Sequence, residues 1–205
     1  MRILIACEYS GIVRDAFTKA GHHAVSCDIL PTESNGLHYK GDVRDILYSR
    51  HWDMMIAHPP CTYLANSGVS WLNRIPGRWE QLDEGAALFK LLLDAPINRI
   101  CIENPVPHKY AVERIGQQYD QTIQPYNFGH PESKRTCLWL KNLPPLLNTI
   151  TLTKPARGYW DNQTPSGQNK LGPSPDRAKI RSRFYPGIAE AMATQWGSID
   201  LDKEI

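Results

Sequence analysis

Short apolar runs alternate with segments of helical period through the first half of this chain, and the strand-like runs end on residues that can do chemistry. Arg2 to Glu8 is one such run, bounded by Ser10 and Gly11. Gly11 to Ala20 then places Ile12, Val13, Ala16, Phe17 and Ala20 at helical spacing before Gly21 stops it. His23 to Ile29 reads as a second strand, Leu37 to Val43 as a weaker third, Trp52 to Ala57 as a fourth and Arg99 to Ile102 as a fifth. A helix over Trp79 to Asp94 separates the last two. Strands alternating with helices predict an α/β fold with a parallel sheet covered on both faces. In such sheets ligands sit outside the carboxyl ends of the strands. Glu8, Asp28, Asp42, Cys61 and Glu103 all fall at those ends, which locates a site.

After Glu103 the pattern changes. Tyr119 to Tyr126 and Thr136 to Leu140 read as two strands joined by a hairpin-like loop over 127–132, and Pro186 introduces a closing helix over Gly187 to Trp196. Leu143 to Ser182 is loop-rich, with prolines at 144, 145, 155, 165, 173 and 175. Overlapping it, 151–184 carries seven basic residues against two acidic (Asp161 and Asp176), together with Tyr159 and Trp160. A solvated surface loop accounts for that charge; so does a grip on a phosphate backbone. At 205 residues one domain is expected over 1–205, with 143–182 as a basic insertion in it. No apolar run approaches the roughly 18 residues of a spanning helix, and the opening Met1 to Cys7 is too short for a signal peptide. A cytoplasmic protein without a membrane partner is expected. The five cysteines (7, 27, 61, 101 and 137) show no Cys-x-x-Cys spacing, so no structural metal is expected.

Cys61 differs from the other four because it follows His58-Pro59-Pro60 at the end of a strand. Two prolines stiffen the backbone, so the thiol projects reproducibly, as a nucleophile requires. The plainer alternative is a structural cysteine in a turn. Glu103, in Glu103-Asn104-Pro105, ends the neighbouring strand. Burial there is expected to raise its pKa until it can donate a proton. A pyrimidine attacked at C6 needs protonation at N3, so the pair is a mechanism where each residue alone is weak. Asp28 is placed to take the hydroxyls of a ribose and Asp42 to meet an adenine amine, which together suggest an adenosine-bearing cofactor. Surface aspartates in turns are the alternative. The single Gly11 makes a poor nicotinamide fingerprint.

These residues resemble the S-adenosylmethionine-dependent C5-cytosine DNA methyltransferases. Glu8-Tyr9-Ser10-Gly11 is similar to that family's cofactor turn, Asp28 to its ribose-binding acid and Gly41-Asp42-Val43 to its adenine-contacting element. His58-Pro59-Pro60-Cys61, with Ser67-Gly68 beyond, resembles its nucleophile loop, and Glu103-Asn104-Pro105 its Glu-Asn-Val element. Phe128 to Arg135 looks like its Tyr-Gly-x-Pro-Gln-x-Arg-x-Arg loop, and Pro186 to Trp196 its closing helix. Val13 and Arg14 stand where the later glycines would be, Glu132 replaces a glutamine, and only 143–182 is available in place of a target-recognition domain.

The resemblance implies a class I, Rossmann-like three-layer sandwich, mostly parallel, with an antiparallel strand near the end. It also implies methyl transfer from S-adenosylmethionine to C5 of cytosine through a covalent Cys61 adduct. Cys61, Glu103, Lys134 and Arg135 would be catalytic; Glu8, Tyr9, Ser10, Gly11, Asp28, Asp42, His58 and Pro59 would hold the cofactor. Asn66, Ser67, Lys154, Arg157, Arg181 and Arg183 would meet nucleic acid, with 62–78 as a lid over a flipped base. The short insertion implies weak sequence specificity, or else a substrate that is single-stranded DNA or a free cytosine nucleotide. The rivals are an enzyme methylating an exocyclic amine, whose loop would need a carboxylate or amide before the prolines and an aromatic after them, and a non-catalytic nucleic-acid-binding module on the same fold.

Overall fold

The computed structural model describes residues 1–174 and 177–199. Pro175 and Asp176, counted above in the basic stretch, lie outside the described residues. The elements run β1 (Arg2–Ala6), α1 (Ile12–Lys19), β2 (His23–Asp28), β3 (His38–Lys40), α2 (Val43–Leu47), β4 (Met54–Ala57), α3 (Arg78–Leu93) and β5 (Arg99–Pro105). Then follow α4 (Lys109–Ile115), β6 (Gln121–Ile123), β7 (Thr136–Lys141), α5 (Arg177–Ser182) and α6 (Pro186–Gly197). A 3-10 helix covers Asn66–Trp71.

The seven strands form one sheet in the order β3-β2-β1-β4-β5-β7-β6. The pairs from β3 to β5 are parallel, and β7 inserts antiparallel to both β5 and β6. Alternation along β1 divides the core, because successive side chains leave a strand on opposite faces. Ile3 and Ile5 pack with Val13 and Phe17 of α1 and with Ile188, Met192 and Trp196 of α6. Leu4 and Ala6 face the other layer, with Ile46 of α2, Leu82 and Phe89 of α3 and Ile115 of α4. Trp139 of β7 is fully buried there, edge-on to Phe89 at 4.8 Å between ring centres. The result is a three-layer αβα sandwich, mostly parallel, with an antiparallel strand near its end.

Strand β5 runs through Pro105, so Glu103 lies inside the ladder opposite Leu138 rather than just past its end. The third strand shrinks to His38–Lys40, because Asp42 caps α2 by accepting from the Arg44 N–H at 2.9 Å. β6 is likewise shorter than the 119–126 run that suggested it.

Arg14, read from sequence as a residue displacing a glycine, is fully buried. Its guanidinium donates to Asp15 Oδ1 at 2.8 Å, to Ser26 Oγ and Thr32 Oγ1 at 3.2 Å each, and to the Ser34 carbonyl at 3.3 Å. It therefore organises the chain leaving β2, on the rim of the site. Gly11 is required beside it: φ is +76°, and a β-carbon there would collide with Ser34 Oγ and the guanidinium. Arg14→Met is expected to destabilise the protein by about 3 kcal/mol, since it removes several hydrogen bonds at once and leaves the buried Ser26 hydroxyl without this donor. Urea denaturation against wild type measures it.

Candidate active site

Two segments from neighbouring strands build the centre of the site. The chain leaving β4 passes through His58-Pro59-Pro60 to Cys61, whose carbonyl accepts from the N–H groups of Leu64 (3.1 Å) and Ala65 (2.9 Å) and so closes a turn. The chain at the end of β5 is stitched to this loop at four points. Asn104 Nδ2 donates to the Pro59 carbonyl at 2.8 Å, and the Asn66 N–H to the Val106 carbonyl at 2.8 Å. The His108 N–H reaches the Leu64 carbonyl at 3.0 Å, and its ring Nε2 lies 2.9 Å from the Tyr63 carbonyl. Asn104 is thus the clamp that fixes the Cys61 loop to the strand carrying Glu103.

Glu103 is buried, and its Oε2 lies 3.0 Å from His58 Nδ1. Burial alone would raise the Glu103 carboxyl. The His58 hydrogen bond, the Lys134 charge and a bond from Thr136 outweigh it and hold the carboxyl below the ordinary range. The free protein therefore presents a carboxylate, with the His58 ring hydrogen assigned to Nδ1. This departs from the sequence expectation of a raised pKa, because the hydrogen-bond partners of a strand end are not visible in its sequence.

All five cysteines are free. Cys7 and Cys27 are pushed up to about 12 and Cys137 to about 11, in each case chiefly by burial. Cys61 is also raised, by burial first and then by the Glu103 charge, but two cations, Lys134 and Arg181, act against the shift. Two cations thus act on Cys61, against Arg44 alone on Cys7 and Arg135 alone on Cys137. Lys134 Nζ donates to the Arg181 carbonyl at 3.0 Å, and the Phe184 ring packs on His58 at 4.8 Å. Arg135 is exposed, and its charge is felt at Cys137.

At the carboxyl end of β1, Cys7 adopts φ +59° and turns the chain sharply. The buried Glu8 carboxylate accepts from the Val13 N–H at 2.7 Å, the Arg14 N–H at 3.3 Å and Ser10 Oγ at 3.1 Å, capping the start of α1. Tyr9 is buried beneath α5, its hydroxyl donating to the Lys179 carbonyl at 2.9 Å. Asp28 has one oxygen on the Leu30 N–H at 2.9 Å, and burial raises its carboxyl against that bond and the nearby His38. Ile29 follows it, 72 % exposed, an apolar side chain at the mouth of the sheet that sequence reasoning passed over. Asp42 is turned towards Arg44, with Nη1 at 2.8 Å.

Of the residues assigned to nucleic acid, Asn66 and Ser67 begin the 3-10 helix, while Lys154 lines a surface hollow of about 430 Å3 with Tyr126 and Trp160. Arg157 pairs with Asp161, and Arg183 with Glu33. Trp71 is 46 % exposed. Trp79 instead packs edge-on to Tyr110 at 5.0 Å, with Arg114 over its ring, so it belongs to the α3–α4 layer. Among the described residues no cluster of potential ligands could hold a metal ion, and no helix is long and apolar enough to cross a membrane.

The strand order, with an antiparallel strand inserted next to the last position, is that of the class I methyltransferase fold. No protein-family model and no curated protein sequence matches the chain. Among solved structures it is similar to one described as a DNA modification methyltransferase of an E. coli prophage, at 14% identity and TM-score 0.48, over 74% of this chain and 52% of that one. It is also similar to the Entamoeba histolytica methyltransferase EhMeth (18% identity, TM-score 0.42, 76% of this chain and 57% of that one). A third is the S. pombe Dnmt2 methyltransferase (16% identity, TM-score 0.42, 75% and 52%). The chain spans about half the length of these structures.

Proposed function

We propose that this protein transfers a methyl group from S-adenosylmethionine to C5 of cytosine in DNA, through a covalent adduct with Cys61. The observation that carries the reading is the Asn104–Pro59 clamp, which fixes the Cys61 loop against the strand bearing Glu103. A turn cysteine and a surface carboxylate would have no need of it.

The chemistry is as follows. The Cys61 thiol gives its proton to solvent, the thiolate forms a bond to C6, and electron density moves into the ring. Lys134 and Arg181 favour the thiolate before attack. Glu103, held by His58, faces the developing charge at N3 and the exocyclic amine, and takes up a proton for N3 as the base replaces water around it. When bound, S-adenosylmethionine would supply C5 with a methyl group from its sulfonium and leave as the neutral thioether S-adenosylhomocysteine. Transfer of the C5 proton to solvent water restores the ring double bond and expels the Cys61 thiolate. In a duplex the base must first be flipped out, at about a few kcal/mol.

The chain's residues suit an adenosine-bearing cofactor. Asp28 has an oxygen beyond the one on Leu30 for a ribose diol, and the exposed Ile29 offers an apolar face beside it. Glu8 is committed to capping α1, so its part is to shape the turn. Asp28→Asn is expected to weaken S-adenosylmethionine binding about 10- to 100-fold, the cost of a charge-assisted hydrogen bond, while keeping the turn to Leu30. Isothermal titration measures this. The reaction itself is tested by digesting DNA treated with enzyme and S-adenosylmethionine and identifying the modified nucleoside by mass spectrometry. 5-Methylcytosine is expected; N4-methylcytosine or a methylated adenine would overturn the reading.

A further inference from the structure

Helix α5 crosses the site from the cofactor turn to the catalytic loop. Its Lys179 carbonyl and Ser182 Oγ hold the Tyr9 hydroxyl at 2.9 and 3.0 Å, and its Arg181 carbonyl holds Lys134 Nζ at 3.0 Å. The cations on and just after this helix are disposed unequally. Arg181 has no acidic partner among the described residues, and its charge acts on Cys61. Lys179 and Arg183 converge on a single carboxylate, that of Glu33 in the loop after β2. Lys179 Nζ lies 2.8 Å from Oε1 and Arg183 Nη2 lies 3.0 Å from Oε2. Each oxygen is gripped by one cation, which is also how two basic side chains hold the two free oxygens of a phosphodiester.

We propose that Lys179 and Arg183 are a phosphate-binding site for the substrate strand, and that Glu33 occupies it in the absence of nucleic acid. The inference rests on the reading of nucleic acid as substrate and goes beyond it, since it names a contact and an internal competitor. Both cations and Glu33 are partly exposed, with side-chain accessibilities of 52, 55 and 25 %. Ion pairs at such exposure are weak and exchange readily. A polyanion exchanges for Glu33 on favourable terms because each phosphate contact releases condensed counterions. The strand then lies along α5 with Arg181 towards Cys61, and Glu33 penalises binding of anything that cannot displace it.

The sign of one substitution decides the matter. Anisotropy titrations of the full chain with a fluorescein-labelled, cytosine-containing single strand, and with its duplex, are run over roughly 50 to 300 mM salt. Glu33→Gln is expected to tighten binding about 3- to 10-fold at the lowest salt, where a purely structural tether would weaken it. The double variant Lys179→Gln, Arg183→Gln is expected to weaken binding and to flatten the plot of log affinity against log salt by about 1.4 for a single strand. Adding Glu33→Gln to that double variant is expected to change nothing, because no cation is left to unmask. Thermal unfolding of each variant checks that the fold is retained. Unchanged or weaker binding by Glu33→Gln overturns the proposal, as does a tightening that survives in the triple variant. Absence of salt-dependent binding by wild type itself would overturn the nucleic-acid reading with it, and so is distinguishable.

Discussion

Cys61→Ser is expected to lower methyl transfer by on the order of 10^4-fold or more, with the fold and cofactor binding unchanged. A serine hydroxyl cannot be ionised by neighbours that only oppose a thiol's upward shift. The structural bonds of the loop would survive, because they run through the Pro59 and Cys61 carbonyls and the Asn104 amide and leave the thiol free of them. Single-turnover transfer of labelled methyl to DNA gives the rate, and thermal shift with S-adenosylmethionine checks the rest. Activity within about tenfold of wild type would point to transfer onto an exocyclic amine, which needs no thiol.

Glu103→Gln is expected to move two observables in opposite directions. Turnover should fall about 10^2- to 10^4-fold, the span of a lost acid–base group. Alkylation of Cys61 by iodoacetamide should become faster at fixed pH. The Cys61 thiol is raised by burial first and by the Glu103 carboxylate second, so removing that charge makes the thiolate easier to form. The midpoint of the alkylation profile therefore shifts to lower pH. Glutamine can still accept from His58 Nδ1, which keeps the loop in place. If alkylation slowed together with turnover, Glu103 would be acting as a support for the loop and not as a charge beside the thiol.

The fold is largely legible in the sequence because its long elements carry full periods. The repeat from Ile12 to Phe17 and the apolar positions of Arg78–Leu93 bury the faces that spacing suggests. The short helices are a different case. Val43–Leu47 is too brief for a period to emerge, so Val43 reads as the end of a strand and 44–47 as no element, and Arg177–Ser182 is polar on most sides and reads as loop. Lys109–Ile115 was passed over too, although Gly116 stops it in the left-handed region.

The centre of the site was legible as residues at strand ends, and its wiring was not. No spacing says that Asn104 reaches back to Pro59, that His58 bonds to Glu103, or that Phe184 covers His58 from far along the chain. Arg14 shows the limit from the other direction. A charged residue in place of a family glycine reads as a departure from the motif, yet hydrogen bonds to five residues (Asp15, Ser26, Thr32, Ser34 and Asn35) make it part of the frame.

The central claim is that Cys61 bonds to C6 of a cytosine, and trapping that bond tests it most directly. Incubation with S-adenosylmethionine and DNA containing 5-fluorocytosine is followed by a denaturing gel and mass spectrometry. Fluorine at C5 leaves no proton to remove, so an enzyme that has attacked C6 stays attached to its substrate. A covalent complex mapping to Cys61, formed by wild type and lost in Cys61→Ser, is the predicted result. Demonstrated cofactor binding with no adduct on either single-stranded or duplex DNA would contradict it.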